Sequence, residues 1–155
     1  MRYETNMEKK LFIYYSFTGN GDFLAEKMKE KGYEIRKIEE DYKMPKSFFW
    51  RMMKGGMRAG MGIKGKLKEF DANIEGYDDI VIGSPIWNGR FPPAINGLLD
   101  KIDFRDIDVT FLFYSGSGEG KKAEQKVLKE YKKASMIFTQ EPKKHQEELN
   151  KIKDL

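Results

Sequence analysis

Five short apolar segments recur along the chain, and segments with helical spacing separate them. The apolar segments are rich in β-branched and aromatic residues, which is typical of strands buried in a parallel sheet. They span residues 9–15, 33–39, 78–84, 107–115 and 135–140. The alternation of strands and helices predicts an α/β fold, a parallel sheet with helices on both faces. We expect a single domain over residues 1–155 with a polar N-terminal tail at residues 1–8.

The intervening segments carry apolar residues at helical intervals. Helices are predicted for residues 21–32, 45–58, 92–102, 118–134 and 142–155, whereas residues 60–70 are too rich in glycine for a regular element. In segment 118–134 the spacing predicts that Val127, Leu128 and Tyr131 face inward. The last helix is predicted to be polar, with an apolar stripe formed by Leu149, Ile152 and Leu155.

Composition narrows the available chemistry. Cysteine is absent, which excludes disulfides, thiolate metal sites and cysteine nucleophiles. The single histidine, His145, lies in a charged run and is interpreted as part of a solvated helix face, so no metal site is predicted. The chain has neither an apolar run that could span a membrane nor a signal peptide, and we expect a cytoplasmic location.

Three predicted strands end in small, turn-forming residues. The sequence reads SFTGNG after the first strand, GSPIWNGRFPP after the third and YSGSGEG after the fourth. Ligands of parallel sheets bind at the carboxyl ends of strands, near the point where strand order reverses. Backbone N–H groups at a helix start attract phosphate, and Gly19 and Gly21 let a ligand approach the backbone closely. The first stretch alone is explained equally well by an ordinary turn with an N-cap.

Taken together, the three loops resemble those of the flavodoxin family over essentially the whole chain. Ser16, Thr18, Gly19 and Asn20 match its phosphate loop, whereas Gly21 replaces the usual last hydroxyl residue. The resemblance implies a flavodoxin-like three-layer sandwich, whose five-stranded parallel sheet has the order 2-1-3-4-5 with helices on both faces. It also implies FMN as cofactor.

The resemblance further implies which residues bind FMN. The first loop would hold the phosphate, and the other two would border the flavin ring, with Trp87 stacked on it. A purely interior packing role is the alternative for Trp87. The candidate cofactor-binding residues are Ser16, Phe17, Thr18, Gly19, Asn20, Gly21, Ser84, Pro85, Ile86, Trp87, Asn88, Gly89, Ser115, Gly116, Ser117 and Gly118. No catalytic side chain is assigned.

Other nucleotide-binding patterns do not fit the chain. GNGDFL is not the G-x-G-x-x-G fingerprint, and SGSGEGKK lacks the first glycine and the hydroxyl residue of a Walker A loop. A response-regulator domain would need acidic residues at the ends of strands one and three, where Ser16 and Ser84 stand.

Two functions of different classes fit the resemblance. The sequence favours an electron carrier, because the chain is close to a minimal domain and only Glu119 offers a general acid or base near the loops. The alternative is an NAD(P)H-dependent flavin or quinone reductase, because residues 115–120 contain no aromatic residue that would cover the outer face of the ring. The missing hydroxyl at Gly21 gives weak support to a binding module without redox use.

The net charge of +4 is unevenly distributed. Eight basic residues and no acidic residue lie within residues 42–68, which leaves 21 basic and 25 acidic residues elsewhere. In the helix predicted there, Arg51, Lys54 and Arg58 share one face and are expected to be solvated. The broad apolar face opposite them is expected to pack on the sheet; it consists of Phe48, Phe49, Met52, Met53 and Met57.

The basic segment suggests partners. An acidic redox protein that docks near Lys54 and Arg58 fits the carrier hypothesis best. Contact of Phe48, Phe49 and Trp50 with an anionic membrane surface is a less favoured alternative. Nucleic acid is not expected, because the sequence shows no recognition fold.

Overall fold

The computed structural model describes residues 8–155, so residues 1–7 of the predicted tail lie outside the described part. Its strands and helices alternate, as the hydrophobic pattern predicts. In chain order they are β1 (Lys10–Tyr14), α1 (Asn20–Glu30), β2 (Tyr33–Lys37), α2 (Phe48–Gly60), β3 (Asp79–Pro85), α3 (Pro93–Lys101), β4 (Val109–Ser115), α4 (Lys121–Glu130), β5 (Ser135–Gln140) and a 3₁₀ helix (Gln146–Ile152).

The strands form one parallel sheet in the order β2-β1-β3-β4-β5. This is the predicted order, and it is confirmed. The order reverses between β1 and β3, whose registers pair Tyr14 with Gly83. The carboxyl ends of β1 and β3 therefore lie side by side, with the ends of β4 and β5 further along the same edge.

Alternating residues of the strands supply two cores, one on each face of the sheet. Leu11, Ile82 and Phe111 face α3 and α4, while Phe12 and Leu112 face α1 and the 3₁₀ helix. This alternation follows from the period of two in a strand. Because both faces are covered, the central strands read as nearly continuous apolar runs.

Helix α2 is turned the opposite way from the prediction. Its buried positions are Gly55, Arg58 and Ala59, one narrow stripe with helical spacing. The apolar side chains that were expected to pack on the sheet point outward; Phe48, Phe49, Met52, Met53 and Met57 are all 47–64% exposed, and Trp50 beside them is 60% exposed. The prediction was wrong because α2 packs on the loops after β2 and β3, which accommodate small residues and a paired arginine.

Two smaller differences concern the C-terminal part. Leu128 is 60% exposed, contrary to the prediction, because α4 turns Ala123 and Val127 to the core and the next residue lies about 100° further around the helix. The predicted last helix is a 3₁₀ helix. Its apolar stripe recurs every three residues, which matches three residues per turn, and Ile152 is buried with Leu149 and Leu155 packed beside it.

Candidate functional site

A cleft of about 640 Å³ opens at the carboxyl edge of the sheet, where the loops after β1, β3, β4 and β5 meet. The predicted residues that line it are Phe17, Thr18, Asn20, Pro85, Ile86, Trp87, Ser115 and Gly116. The predicted residues that do not line it are Ser16, Gly19, Gly21, Ser84, Asn88, Gly89, Ser117 and Gly118. The lining also includes residues that the sequence did not point to, namely Phe48, Met52, Tyr114, Glu141, Lys143 and Lys144.

The loop after β1 presents backbone N–H groups without partners. Gly19 adopts a φ of 98° directly before α1 and, as the N-cap residue, has no side chain with which to cap the helix. Within residues 8–155, the N–H groups of Thr18, Gly19, Asn20 and Gly21 donate to no protein acceptor. Such donors at the positive end of a helix dipole suit a phosphate group.

Packing explains why Gly21 stands where a hydroxyl residue is usual. A Cβ atom at this position would lie 2.6 Å from the Tyr114 hydroxyl oxygen and 2.8 Å from Ser16 Cβ, which is closer than side chains approach. Tyr114 reaches from β4 to the loop and donates its hydroxyl to the carbonyl of Tyr15. Sequence reasoning missed Tyr114, although the tyrosine that ends a buried strand just before the third loop was an available signal.

Trp87 stands between the first loop and α2. Its ring packs edge-on against Phe17, with centroids 5.1 Å apart, and against Tyr15 at 5.9 Å. A Cβ atom on Gly55 of α2 would lie 3.1 Å from the indole, so the helix approaches Trp87 closely. Trp87 therefore lines the cleft and also packs against three neighbours, so its side chain combines a position in the cleft with a packing role.

The other predicted residues after β3 have different surroundings. Ser84 is fully buried, and its hydroxyl donates to the Pro85 carbonyl at 2.8 Å. Asn88 and Gly89 both have positive φ, 52° and 73°, and form the tip of a two-residue turn closed by hydrogen bonds between Trp87 and Arg90. The Gly89 carbonyl accepts the N–H of Ala123, which ties this tip to α4.

The loop after β4 is fixed by its own hydrogen bonds. Ser115 Oγ accepts the Gly118 N–H at 2.9 Å, and Gln140 donates its side-chain amide to the Gly116 carbonyl at 3.1 Å. A Cβ atom on Gly116 would meet nothing within 4 Å. Residues 115–120 contain no aromatic side chain, so this border of the cleft is low and open.

The loop after β5 adds positive charge that sequence reasoning missed. The Lys143 N–H donates to the Asn20 side-chain oxygen at 3.1 Å, which joins this loop to the start of α1. The Lys143 ammonium lies beside the backbone of Gly19, 3.5 Å from where a Cβ atom would be. The sequence feature that indicated this charge was a pair of lysines just after the last strand, because that strand ends at the same edge of the sheet.

A carboxylate in the first turn of α1, beside the loop after β1, is held by two neighbours. The Asp22 carboxylate accepts the Tyr14 hydroxyl at 2.8 Å and lies 3.0 Å from Lys37 Nζ. Burial acts to raise the pKa of Asp22, but the hydrogen bonds from Tyr14 and Lys37 outweigh it and leave the pKa below its usual value. Burial likewise raises the pKa of Tyr15 to about 12, with the Glu40 charge as a smaller cause. At neutral pH Asp22 is therefore ionised and Tyr15 is not.

Arg58 does not belong to a solvated face, which corrects the docking prediction. It is 8% exposed, and its guanidinium binds the buried Glu40 carboxylate, with Nη1 2.9 Å from Oε1. The Tyr42 ring covers the guanidinium at 3.6 Å. Arg58 is thus neutralised inside the protein, and only Lys54 of the two predicted docking cations is exposed.

Solved structures define the class of fold. A protein of Bacteroides eggerthii DSM 20697 superposes with a TM-score of 0.72 at 21% identity, covering 93% of this chain and 97% of its own. A flavoprotein of Lactobacillus acidophilus NCFM, crystallised in complex with FMN, gives 0.66 at 21% identity, covering 91% and 98%. Oxidised flavodoxin 1 of Bacillus cereus gives 0.51 at 16% identity, covering 96% and 99%. The fold is flavodoxin-like.

Residues 20–143 match the model of a family described as NADPH-dependent FMN reductase, and the chain belongs to that family. No curated protein sequence matches the chain. Family and fold together identify a flavodoxin-like flavoprotein with FMN as cofactor, which confirms the cofactor predicted from the three loops. None of the helices within residues 8–155 has the length and apolarity needed to cross a bilayer.

The cleft fits the chemistry of FMN. The unpaired N–H groups at the start of α1 and the Lys143 ammonium suit the phosphate, whose double charge needs several donors. The apolar wall formed by Phe48, Met52, Pro85, Ile86 and Trp87 suits a flat aromatic ring.

Proposed function

We propose that this protein is a reductase that takes electrons from NADPH or NADH and passes them to a small acceptor, a quinone or a free flavin. In the net reaction, one reduced nicotinamide cofactor and one proton are consumed, and the acceptor gains two electrons and two protons. Bound FMN supplies the redox chemistry, and the protein binds and orients it. Reduced nicotinamide cofactors are cytoplasmic metabolites, so a cytoplasmic location is part of the proposal.

The open loop after β4 is the observation that carries this proposal. Gly116 faces free space, and no aromatic side chain of residues 115–120 covers the cleft. A nicotinamide ring or a quinone must stack close to the cofactor to exchange electrons, and this border leaves room for it. Membership in the NADPH-dependent FMN reductase family supports the same donor.

In this proposal each loop has a task. The N–H groups of residues 18–21 and the Lys143 ammonium bind the phosphate, and the Thr18 hydroxyl adds a donor. Pro85, Ile86 and Trp87 form the wall on which the ring rests. The remaining predicted residues shape these loops: Ser16 Oγ accepts the Asp22 N–H at 3.3 Å, and the Ser117 hydroxyl accepts the Glu119 N–H at 3.2 Å.

Anaerobic reduction of the FMN-loaded protein tests the proposal. NADPH or NADH should bleach the visible flavin absorbance, and a quinone should restore it. At equal FMN occupancy, the Gly116→Tyr variant should be reduced more slowly than the wild type, because an aromatic ring at this border would cover the opening. Ser135→Tyr, an exposed position at the opposite end of β5, should behave like the wild type.

An electron carrier is the second candidate. The elements from Lys10 to Ile152 are those of a five-stranded domain alone, with no insertion between them that would bind a nicotinamide. If dithionite bleaches the bound flavin while NADPH and NADH do not, the reductase proposal is wrong and the carrier stands. Its partner would then be a redox protein that docks beside the cleft, with Lys54 among the cations that attract it.

A further inference from the structure

Helix α2 presents a continuous apolar face to solvent. Its exposed side chains are Phe48, Phe49, Trp50, Met52, Met53 and Met57, and Met61 follows directly, 70% exposed. Such contiguous apolar surface is uncommon on a protein that stays free in solution and marks an interaction site.

The inward side of α2 keeps this face outside. Gly55 fits against the Trp87 indole, and Arg58 is held by Glu40 and covered by Tyr42. Turning the apolar residues inward would drive bulky side chains into Trp87 and leave Glu40 buried without its partner. The packing of the inward side of α2 therefore determines that the apolar side chains are exposed to solvent.

The segment that carries the apolar face also carries exposed cations. Of the eight basic residues in residues 42–68, Arg58, Lys64 and Lys68 pair with Glu40, Asp100 and Glu39, and Arg51 stacks on Phe17. The other four are Lys43, Lys46, Lys54 and Lys66. All four are exposed, and among residues 8–155 no carboxylate lies within ion-pair distance of them.

We propose that α2 and its flanking lysines dock this protein on the surface of an anionic lipid bilayer. Phe49 and Trp50, with the α2 methionines that do not line the cleft, Met53 and Met57, would enter the boundary between headgroups and acyl chains, while the lysines contact the headgroup phosphates. Charge favours lipid over a second copy of this chain. A two-fold contact through the same face would bring the four lysines of each copy together without an acidic residue of the segment to neutralise them.

Vesicle flotation with the full chain tests the proposal. The protein should float with vesicles of phosphatidylglycerol and phosphatidylcholine, stay unbound with phosphatidylcholine alone, and bind less as salt rises. The bound fraction should become negligible for Phe49→Ser with Trp50→Ser, and affinity should fall about fivefold for each of Lys46→Gln and Lys54→Gln, which remove one positive charge. Lys132→Glu with Lys133→Glu, exposed lysines near the end of α4, should bind like the wild type.

Fluorescence locates the contact. Trp50 emission should shift to the blue when anionic vesicles are added. The Trp50→Phe variant retains one tryptophan, Trp87, and should show no shift. Equal flotation of the wild type and the Phe49→Ser, Trp50→Ser variant would overturn the proposal. So would a wild type that ignores vesicles but sediments as a dimer that the same variant dissociates. Since FMN is not needed for flotation, these outcomes are separate from the fate of the reductase proposal.

Discussion

At the scale of single residues, the close approach of Tyr114 to Gly21 shows how the loop after β1 departs from the usual phosphate-binding motif while its backbone N–H donors remain. The phenol of Tyr114 occupies the space that a side chain at position 21 would need. The two positions are therefore coupled: the tyrosine at position 114 requires a glycine at position 21.

Restoring a hydroxyl residue should harm this loop. We expect Gly21→Thr to lower the free energy of unfolding by roughly 1–3 kcal/mol, the range for overpacking, and to weaken FMN binding. Adding Tyr114→Ala should relieve the clash with the phenol, though not the one with Ser16, so the double variant should be less destabilised than the sum of the single changes. Urea unfolding and FMN titration of all three variants measure this, and strict additivity would contradict the coupling.

The Asp22 carboxylate should make stability depend on pH. Its pKa is lowered in the folded protein, so its contribution is complete above the unfolded pKa and is lost as pH falls through the folded pKa. Asp22→Asn should therefore cost roughly 0.5–1 kcal/mol near neutral pH and almost nothing in strong acid. Asp108→Asn, at an exposed site, serves as the control in chemical unfolding at both pH values. If Asp22→Asn still lowered the free energy of unfolding in strong acid, the stabilisation by Asp22 would not come from its charge.

At the scale of elements, α2 is held by the buried pair of Arg58 and Glu40. We expect Arg58→Met to cost roughly 3–5 kcal/mol, because it strands a carboxylate that is 7% exposed. Glu40→Gln added to that variant should recover much of the loss. The control is Lys64→Met, which breaks the exposed pair with Asp100 and should change the free energy of unfolding by less than about 1 kcal/mol. Equal effects of the two single variants would show that burial does not matter here.

The strands could be predicted from the sequence because a sheet covered on both faces imposes apolar runs that few other elements share. The orientation of α2 could not. Its helical pattern separates an apolar from a basic face but does not reveal what covers either one. The partner that admits Arg58 to the interior, Glu40, lies 18 residues earlier in a loop, and the small residues Gly55 and Ala59 were the only local signal.

The candidate site likewise has parts that the sequence predicts and parts that it does not. The loops at residues 16–21 and 84–89 could be located from the sequence, because loops after parallel strands converge at one edge and motif spacing marks them. Which of their residues bind FMN stays a prediction. For Tyr114 and Lys143 the sequence indicates only their position at a strand end, because the contacts that give them a role, beside Gly21 and beside Gly19 respectively, form only in the folded chain. Ser84 shows the converse: motif position suggested a cofactor residue, but the side chain is buried and bonded to its neighbour.

At the scale of the whole molecule, the charge distribution around the cleft should favour FMN over its dephosphorylated form. We expect Lys143→Ala to weaken FMN binding by roughly 1–2 kcal/mol and riboflavin binding hardly at all, because the ammonium faces the phosphate-binding loop. Lys153→Ala, an exposed lysine near the C-terminus, is the control. Fluorescence titrations with both flavins give the comparison. Parallel losses for FMN and riboflavin would mean that Lys143 acts by holding the loop rather than through its charge.

Phe48 and Met52 belong both to the wall of the cleft and to the outward face of α2. Whatever covers this helix therefore also alters the surroundings of the cofactor. Thermodynamic linkage then requires the effect to be mutual: if lipid binding tightens the hold on FMN, FMN must tighten lipid binding by the same factor. FMN titrations with and without anionic vesicles would measure that factor, and a value of one would mean that the shared wall transmits nothing. If the factor exceeds one, the protein holds its cofactor more tightly when bound to a membrane than when free in solution, so the membrane would set how much of the protein carries FMN.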